Sequence, residues 1–140
     1  MIQEIRAFNR FYTGVIGLLN RHLLDSTYSL AEARILYELA HRRSCLATDL
    51  IGAMRIDKSY LSRLLHKLEK DGLITRARST TDGRASALSL TGRGKQEFKR
   101  LDRASDEQVR QLILPLSQTD QQRLLAHFTS IMDLLSAHHG

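Results

Sequence analysis

Ser59, Ser62, Arg63, His66 and Lys70 recur at three- and four-residue spacings, with Tyr60 and Lys67 interleaved among them. At about 100° per residue the first five share one side of a helix, and the other two sit at its edge. Hydroxyls, an imidazole and cations on one short helix face form a hydrogen-bonding set suited to the base edges and phosphates of double-stranded DNA. Arg63 carries the most specific chemistry of the set, because a guanidinium can pair bidentately with a guanine edge in the major groove. Lys58, Lys67, Arg76, Arg78 and, in the turn before the helix, Arg55 add cations able to contact phosphate. A solvated basic face with no nucleic-acid partner is the plain alternative.

The elements that must position these residues can be read on either side of them. Asp57 is a good N-cap, and Leu61, Leu64, Leu65 and Leu68 follow at the spacing that lines the opposite, core-facing side of the same helix. Gly72 can take the left-handed backbone that ends a helix after Asp71. Leu73 to Arg78 then reads as a strand, Ser79 to Arg84 as a turn containing an Asp-Gly pair, and Ala85 to Leu90 as the returning strand. In that second strand Leu88 and Leu90 point one way and Ser89 the other. Upstream, Ala47 to Met54 is a short helix with Leu50, Ile51 and Met54 inward, the first helix of a helix-turn-helix. Arg55 lies in the turn between the two.

The flanks are helical. Ile5, Phe8, Tyr12, Val15, Leu19 and Leu23 stripe a helix through residue 24, with Phe11, Ile16 and Leu18 widening its apolar surface. Ser29 and Glu32 form a capping box that starts a second helix, whose Ala33, Leu36, Tyr37 and Ala40 are expected to face the core. After the hairpin, Thr91 caps a long helix to about Leu114, which Pro115 ends. Ser117 and Asp120 start a last helix to about Ala137, striped by Leu124, Leu125, Phe128, Ile131, Met132 and Leu135. The fold class is therefore mainly α with a small β-hairpin wing.

Composition narrows the classes. A chain of 140 residues that is 42% hydrophobic can bury a core. No apolar run reaches the roughly 18 residues of a membrane span, and the first residues are not a signal peptide, so the chain reads as cytoplasmic. Net charge is +6, and residues 55–103 hold 13 Lys/Arg against 6 Asp/Glu. The positive charge is thus gathered around the helix and hairpin, which favours nucleic acid over an idle basic face. Cys45 is the single cysteine, which excludes an intrachain disulfide or a multi-thiolate metal site and reads as a small buried hydrophobe.

Other chemistry has no footing. Gly92-Arg93-Gly94-Lys95 lacks the spacing and the preceding strand of a phosphate loop. The six histidines are scattered and build no zinc set. No nucleophile, base and orienter combine, so neither catalysis, a metal nor a cofactor is expected.

Asp57-Lys58-Ser59 with Arg63, Leu68 to Ile74, and Asp82-Gly83-Arg84-Ala85 through Leu90-Thr91-Gly92-Arg93-Gly94 resemble the signature of the MarR-type regulators, the multiple-antibiotic-resistance regulator family. The likeness runs over the whole chain and is sharp between about Thr48 and Gly94. It implies one domain over 1–140: a winged helix-turn-helix lobe at 30–90, a linking helix at 91–114, and helices at 1–24 and 117–138 that interlock with those of a partner copy. It implies a homodimeric repressor on a near-palindromic operator, modulated by a small aromatic or phenolic ligand. It also places Arg84 in the minor groove, held by Asp82. Where the family usually has glycine between the two helices, this chain has Arg55, which must accept a left-handed backbone at about 1 kcal/mol or use a different turn. The amino-terminal stretch from Phe8 to Leu39 resembles, in addition, the start of bifunctional proteins joining a MarR-type domain to a GNAT-type acetyltransferase. A winged-helix module that binds protein is the third reading.

Overall fold

The computed structural model describes residues 1–22, 27–78 and 86–139. Its elements in order are α1 (Ile2–His22), α2 (Leu30–His41), β1 (Cys45–Leu46), α3 (Ala47–Met54), α4 (Lys58–Lys70), β2 (Ile74–Arg78), β3 (Ser86–Leu90), α5 (Gly92–Ile113) and α6 (Gln118–His139). The class is the expected one: mostly helix with a small antiparallel sheet. Two compact units are present, Met1–Ser105 and Asp106–Gly140.

Within the first unit, α4 is built as its leucines require. Leu61, Leu64, Leu65 and Leu68 are all buried, and Asp57 caps the helix through its Oδ2, which accepts from the Tyr60 backbone N–H at 3.1 Å. The end is equally defined. Gly72 has φ +76°, the Leu73 N–H donates to the Leu68 carbonyl and the Gly72 N–H to that of Glu69. That pair of bonds is the Schellman arrangement, which only a residue at ease in left-handed backbone completes without strain.

The chain leaving Gly72 enters a three-stranded sheet in the order β1-β3-β2. β2 and β3 run antiparallel in the register Ile74↔Leu90 to Arg78↔Ser86, and β1 pairs antiparallel with the other side of β3 through Cys45↔Leu88. β2 starts at Ile74, a residue later than the alternation predicts, and the described part of β3 starts at Ser86. β1 was not legible as a strand at all, since two residues carry no period. The anticipated turn at 79–84 lies outside the described residues.

The core of this unit gathers Ile35, Leu36 and Leu39 of α2, Leu50 of α3, the α4 leucines, Leu73, Ile74, Leu88, Cys45 and Leu101 of α5. This corrects the face assigned to α2. Leu36 is buried as expected and Ala33 partly so, but Tyr37 and Ala40 are exposed, and Ile35 and Leu39 take the interior with two carboxylates, Glu32 and Glu38. Tyr37 instead stacks on His41, which meets Phe98 of α5 edge-on.

Glu38 shows how a carboxylate is kept there. Its two oxygens accept from Arg34 Nε at 2.8 Å and Arg42 Nε at 3.1 Å. Burial alone would raise this carboxyl, but the arginine hydrogen bonds outweigh it and hold it below the usual range. A group depressed on folding adds stability above its unfolded value, near 4.5, and that contribution is lost as pH falls through the folded value. Glu38→Gln is expected to cost about 1–2 kcal/mol at neutral pH, since both arginines lie partly in solvent. Urea unfolding at about pH 7 and about pH 3 checks this, because the gap between variant and wild type should close in acid. An equal gap at both would show that ionisation of Glu38 contributes nothing.

The start of α5 is fastened to the turn after α4. Thr91 donates its hydroxyl to the Gly72 carbonyl at 2.6 Å and accepts from the Gly94 N–H at 3.0 Å, while the Thr91 N–H donates to the Leu73 carbonyl at 3.0 Å. Thr91 is therefore a cap as expected and also a staple. In the second unit, Ser117 caps α6 through a bond from the Asp120 N–H at 3.1 Å, and Gln121 closes the α5–α6 turn by donating to Ile113 and Leu116 carbonyls.

Candidate nucleic-acid interface

With its leucines buried, α4 turns Lys58, Ser59, Ser62, Arg63 and His66 to solvent, and Tyr60 is 41% exposed beside them. The Arg63 guanidinium lies over the Tyr60 ring, 5.7 Å from its centroid. A cation over a ring face is held electrostatically, so Arg63 is oriented before it meets any partner. Across from it, Arg76 of β2 donates Nε to Glu69 Oε2 at 2.8 Å. Ser62, Arg63, His66, Glu69 and Arg76 together line an open cleft of about 650 Å³ between α4 and β2. One acidic residue among three basic or imidazole side chains leaves that cleft suited to an anionic, hydrogen-bonding partner.

Arg55 takes the left-handed backbone, φ 51° and ψ 45°, as the C-cap of α3, and its side chain is exposed. Of the two turns open to it, the chain accepts the strained one. Arg78 is the last residue of β2, opposite Ser86, and its backbone alone is described. Asp82 and Arg84 lie outside the described residues.

Lys67 departs most from the sequence reading. Its ammonium donates to both carboxylate oxygens of Glu32, at 2.9 and 3.1 Å, and sits 5.3 Å from the Tyr28 ring centroid. It is engaged with α2, not displayed with Arg63. The same contact corrects the capping box at α2: Ser29 Oγ accepts from the Glu32 N–H at 3.2 Å, but the Glu32 carboxylate turns to Lys67.

A short helix, a tight turn, a helix with a polar outer face and a hairpin against its end constitute a winged helix-turn-helix. A profile of the MarR family matches residues 28–86, which span this arrangement from the start of α2 to β3. Over that stretch the chain is similar to the MarR family. Among sequence relatives, it is 26% identical to the HTH-type transcriptional regulator BilQ of Clostridium symbiosum over 71% of this chain and 69% of that one. Among solved structures, wild-type MarR from E. coli in its apo form superposes with a TM-score of 0.80 at 18% identity, covering 91% and 95% of the two chains. The transcriptional repressor CouR bound to a 23-mer DNA duplex superposes with a TM-score of 0.80 at 22% identity, covering 89% of each.

Two features of this chain escaped sequence reasoning. Glu69 anchors Arg76, a pairing between a helix and a strand that no local period announces. Glu32, with Tyr28 and Asp71, forms a polar cluster around Lys67, a long-range pairing that local spacing does not announce. Cys45 is 1% exposed, and burial first, then Asp49, pushes its thiol up. A thiol so placed stays protonated at neutral pH and is no nucleophile. Among the described residues no group of three or more His, Cys, Asp or Glu side chains could hold a metal, and no helix is long and apolar enough to cross a membrane.

Proposed function

We propose that this chain is a MarR-type transcriptional regulator that acts as a homodimer on a near-palindromic operator, with α4 read into the major groove and the wing beside it. The observation that carries the reading is the two-sided character of α4: a leucine seam wholly inside the lobe, and on the other side an exposed serine, histidine and arginine set with Arg63 already oriented over Tyr60. Lys58, Arg55, Arg76 and Arg78 supply phosphate contacts around it, and Arg84 is assigned the minor-groove contact by the family resemblance alone. CouR, a repressor seen on DNA, supports the sign of regulation as repression.

Dimerisation rests on surfaces that each unit leaves open. Ile2, Ile5, Phe8 and Phe11 of α1 are 41–68% exposed, and Leu125, Met132, Leu134 and Leu135 of α6 are 57–69% exposed. Apolar stripes of this extent are covered in an assembly. A second copy covering both helices gives a two-fold dimer, and two-fold proteins read two-fold operators. A small aromatic or phenolic ligand modulates the complex, and the cleft of about 210 Å³ between α2 and α5, with Ala33, Tyr37, Phe98 and Leu101 as its apolar wall and Arg34 and Asp102 as its charged groups, is a candidate place for it.

Selection of duplexes from a random DNA pool, paired with sedimentation of the protein–DNA complex, tests the reading. Enrichment of an inverted repeat bound by two chains is expected. Enrichment of a single half-site by one chain, or of nothing, would overturn it.

A further inference from the structure

We infer that Lys67 is a positioning residue for recognition, and that its bond to Glu32 sets the rotation of α4 about its own axis. The inference rests on α4 being the reading helix. Leucine side chains resist separation strongly but rotation weakly, because apolar contact is non-directional. Polar bonds supply direction, and besides the Glu69 bond to Arg76 of β2 the carboxy-terminal end of α4 has two that reach the start of α2. Lys67 donates to both oxygens of Glu32, whose residue is 5% exposed, and Tyr28 donates its hydroxyl to Asp71 Oδ2 at 3.2 Å. Lys67 also lies over the Tyr28 ring and donates at 3.5 Å to the Thr27 carbonyl. The clamp thus joins the last two turns of α4 to the segment that begins α2.

Its geometry bears directly on Arg63. Residues four apart lie about 40° from one another around a helix, so Lys67 and Arg63 point to neighbouring sectors one turn apart. With side chains about 6 Å from the axis, a 10° rotation moves a side-chain group by about 1 Å. A hydrogen bond to a base edge does not survive an error much larger than that. Loss of the clamp therefore degrades discrimination between sequences, while contacts to phosphate, which tolerate displacement, persist.

The test compares Glu32→Gln and Lys67→Met with the wild-type protein, on the duplex that wild type enriches from a random pool and on its scrambled counterpart. Glu32→Gln keeps the volume of the side chain and every cation of α4; thermal unfolding establishes that each variant is folded. At least a tenfold fall in the ratio of selected to scrambled affinity is expected for Glu32→Gln, with scrambled DNA bound as well as before or better. Lys67→Met, if folded, should show the same fall with the salt dependence of binding unchanged. A shallower salt slope by about one unit in Lys67→Met would make Lys67 a phosphate contact and overturn the inference. A destabilised Glu32→Gln whose ratio equals that of wild type would reduce the clamp to a stability element and overturn it as well. A wild-type protein that prefers no duplex sinks the DNA-reading role of α4 together with this inference; a wild-type preference that survives both substitutions sinks the inference alone.

Discussion

Gly94→Ala is expected to destabilise the first unit by at least about 3 kcal/mol, at the upper end of what overpacking usually costs. A Cβ built on Gly94 would lie 2.0 Å from the Leu73 carbonyl oxygen and 3.0 Å from its carbon. Neither atom can yield, because that carbonyl accepts from the Thr91 N–H and Leu73 is 1% exposed in the core. The start of α5 would have to lift off, breaking the Thr91 bonds to Gly72 and Leu73 together. Gly92 is the internal control. Nothing lies within 4 Å of a Cβ there, so Gly92→Ala should be neutral or gain up to about 1 kcal/mol from reduced freedom of the unfolded chain. Equilibrium urea unfolding of the two variants separates the cases, and a Gly94→Ala midpoint equal to that of Gly92→Ala would mean that α5 does not approach Leu73 this closely.

Arg63→Ala is expected to cost about 1–3 kcal/mol on the selected duplex and to relax discrimination at one position of each half-site. The loss has two parts: the guanidinium itself, and the preorganisation that Tyr60 gives it before binding. Arg84→Ala provides the contrast. The family resemblance sends Arg84 to the minor groove, where the code is degenerate, so its loss should weaken selected and scrambled duplexes by similar factors and shallow the salt slope by about one unit. Titrating both variants on both duplexes at several salt concentrations decides the matter. Equal loss of discrimination from the two would move the reading head away from α4.

What the sequence made legible follows the range of the interactions involved. The α4 seam, its Asp57 cap, the Gly72 stop, the left-handed option at Arg55 and the Thr91 cap are all decided within a few residues, and all appear in the structure. The α2 face was misjudged because periodicity treats every charged residue as outward, whereas Glu32 and Glu38 are carried inward by partners that α4 and α2 supply. Lys67 was set beside Arg63 for the same reason: a helical wheel gives direction but not the carboxylate that waits 35 residues earlier. The repeated glycines of Thr91-Gly92-Arg93-Gly94 looked equivalent in sequence, and only the proximity of Leu73 distinguishes them.

The strand order has a bearing on colloidal behaviour. β3 is sealed on both sides, by β1 and β2, which leaves the outer side of the five-residue β2 as a sheet margin, where the outward-facing backbone groups of alternate residues can template pairing with another chain. Arg76 stands in the middle of that margin, and a charge in such a place is a common safeguard against intermolecular strand addition. One side chain would thus serve both phosphate affinity and solubility. Screens for variants with weaker DNA binding will accordingly recover aggregation at this position under the same phenotype, and only the amount of soluble protein tells the two apart.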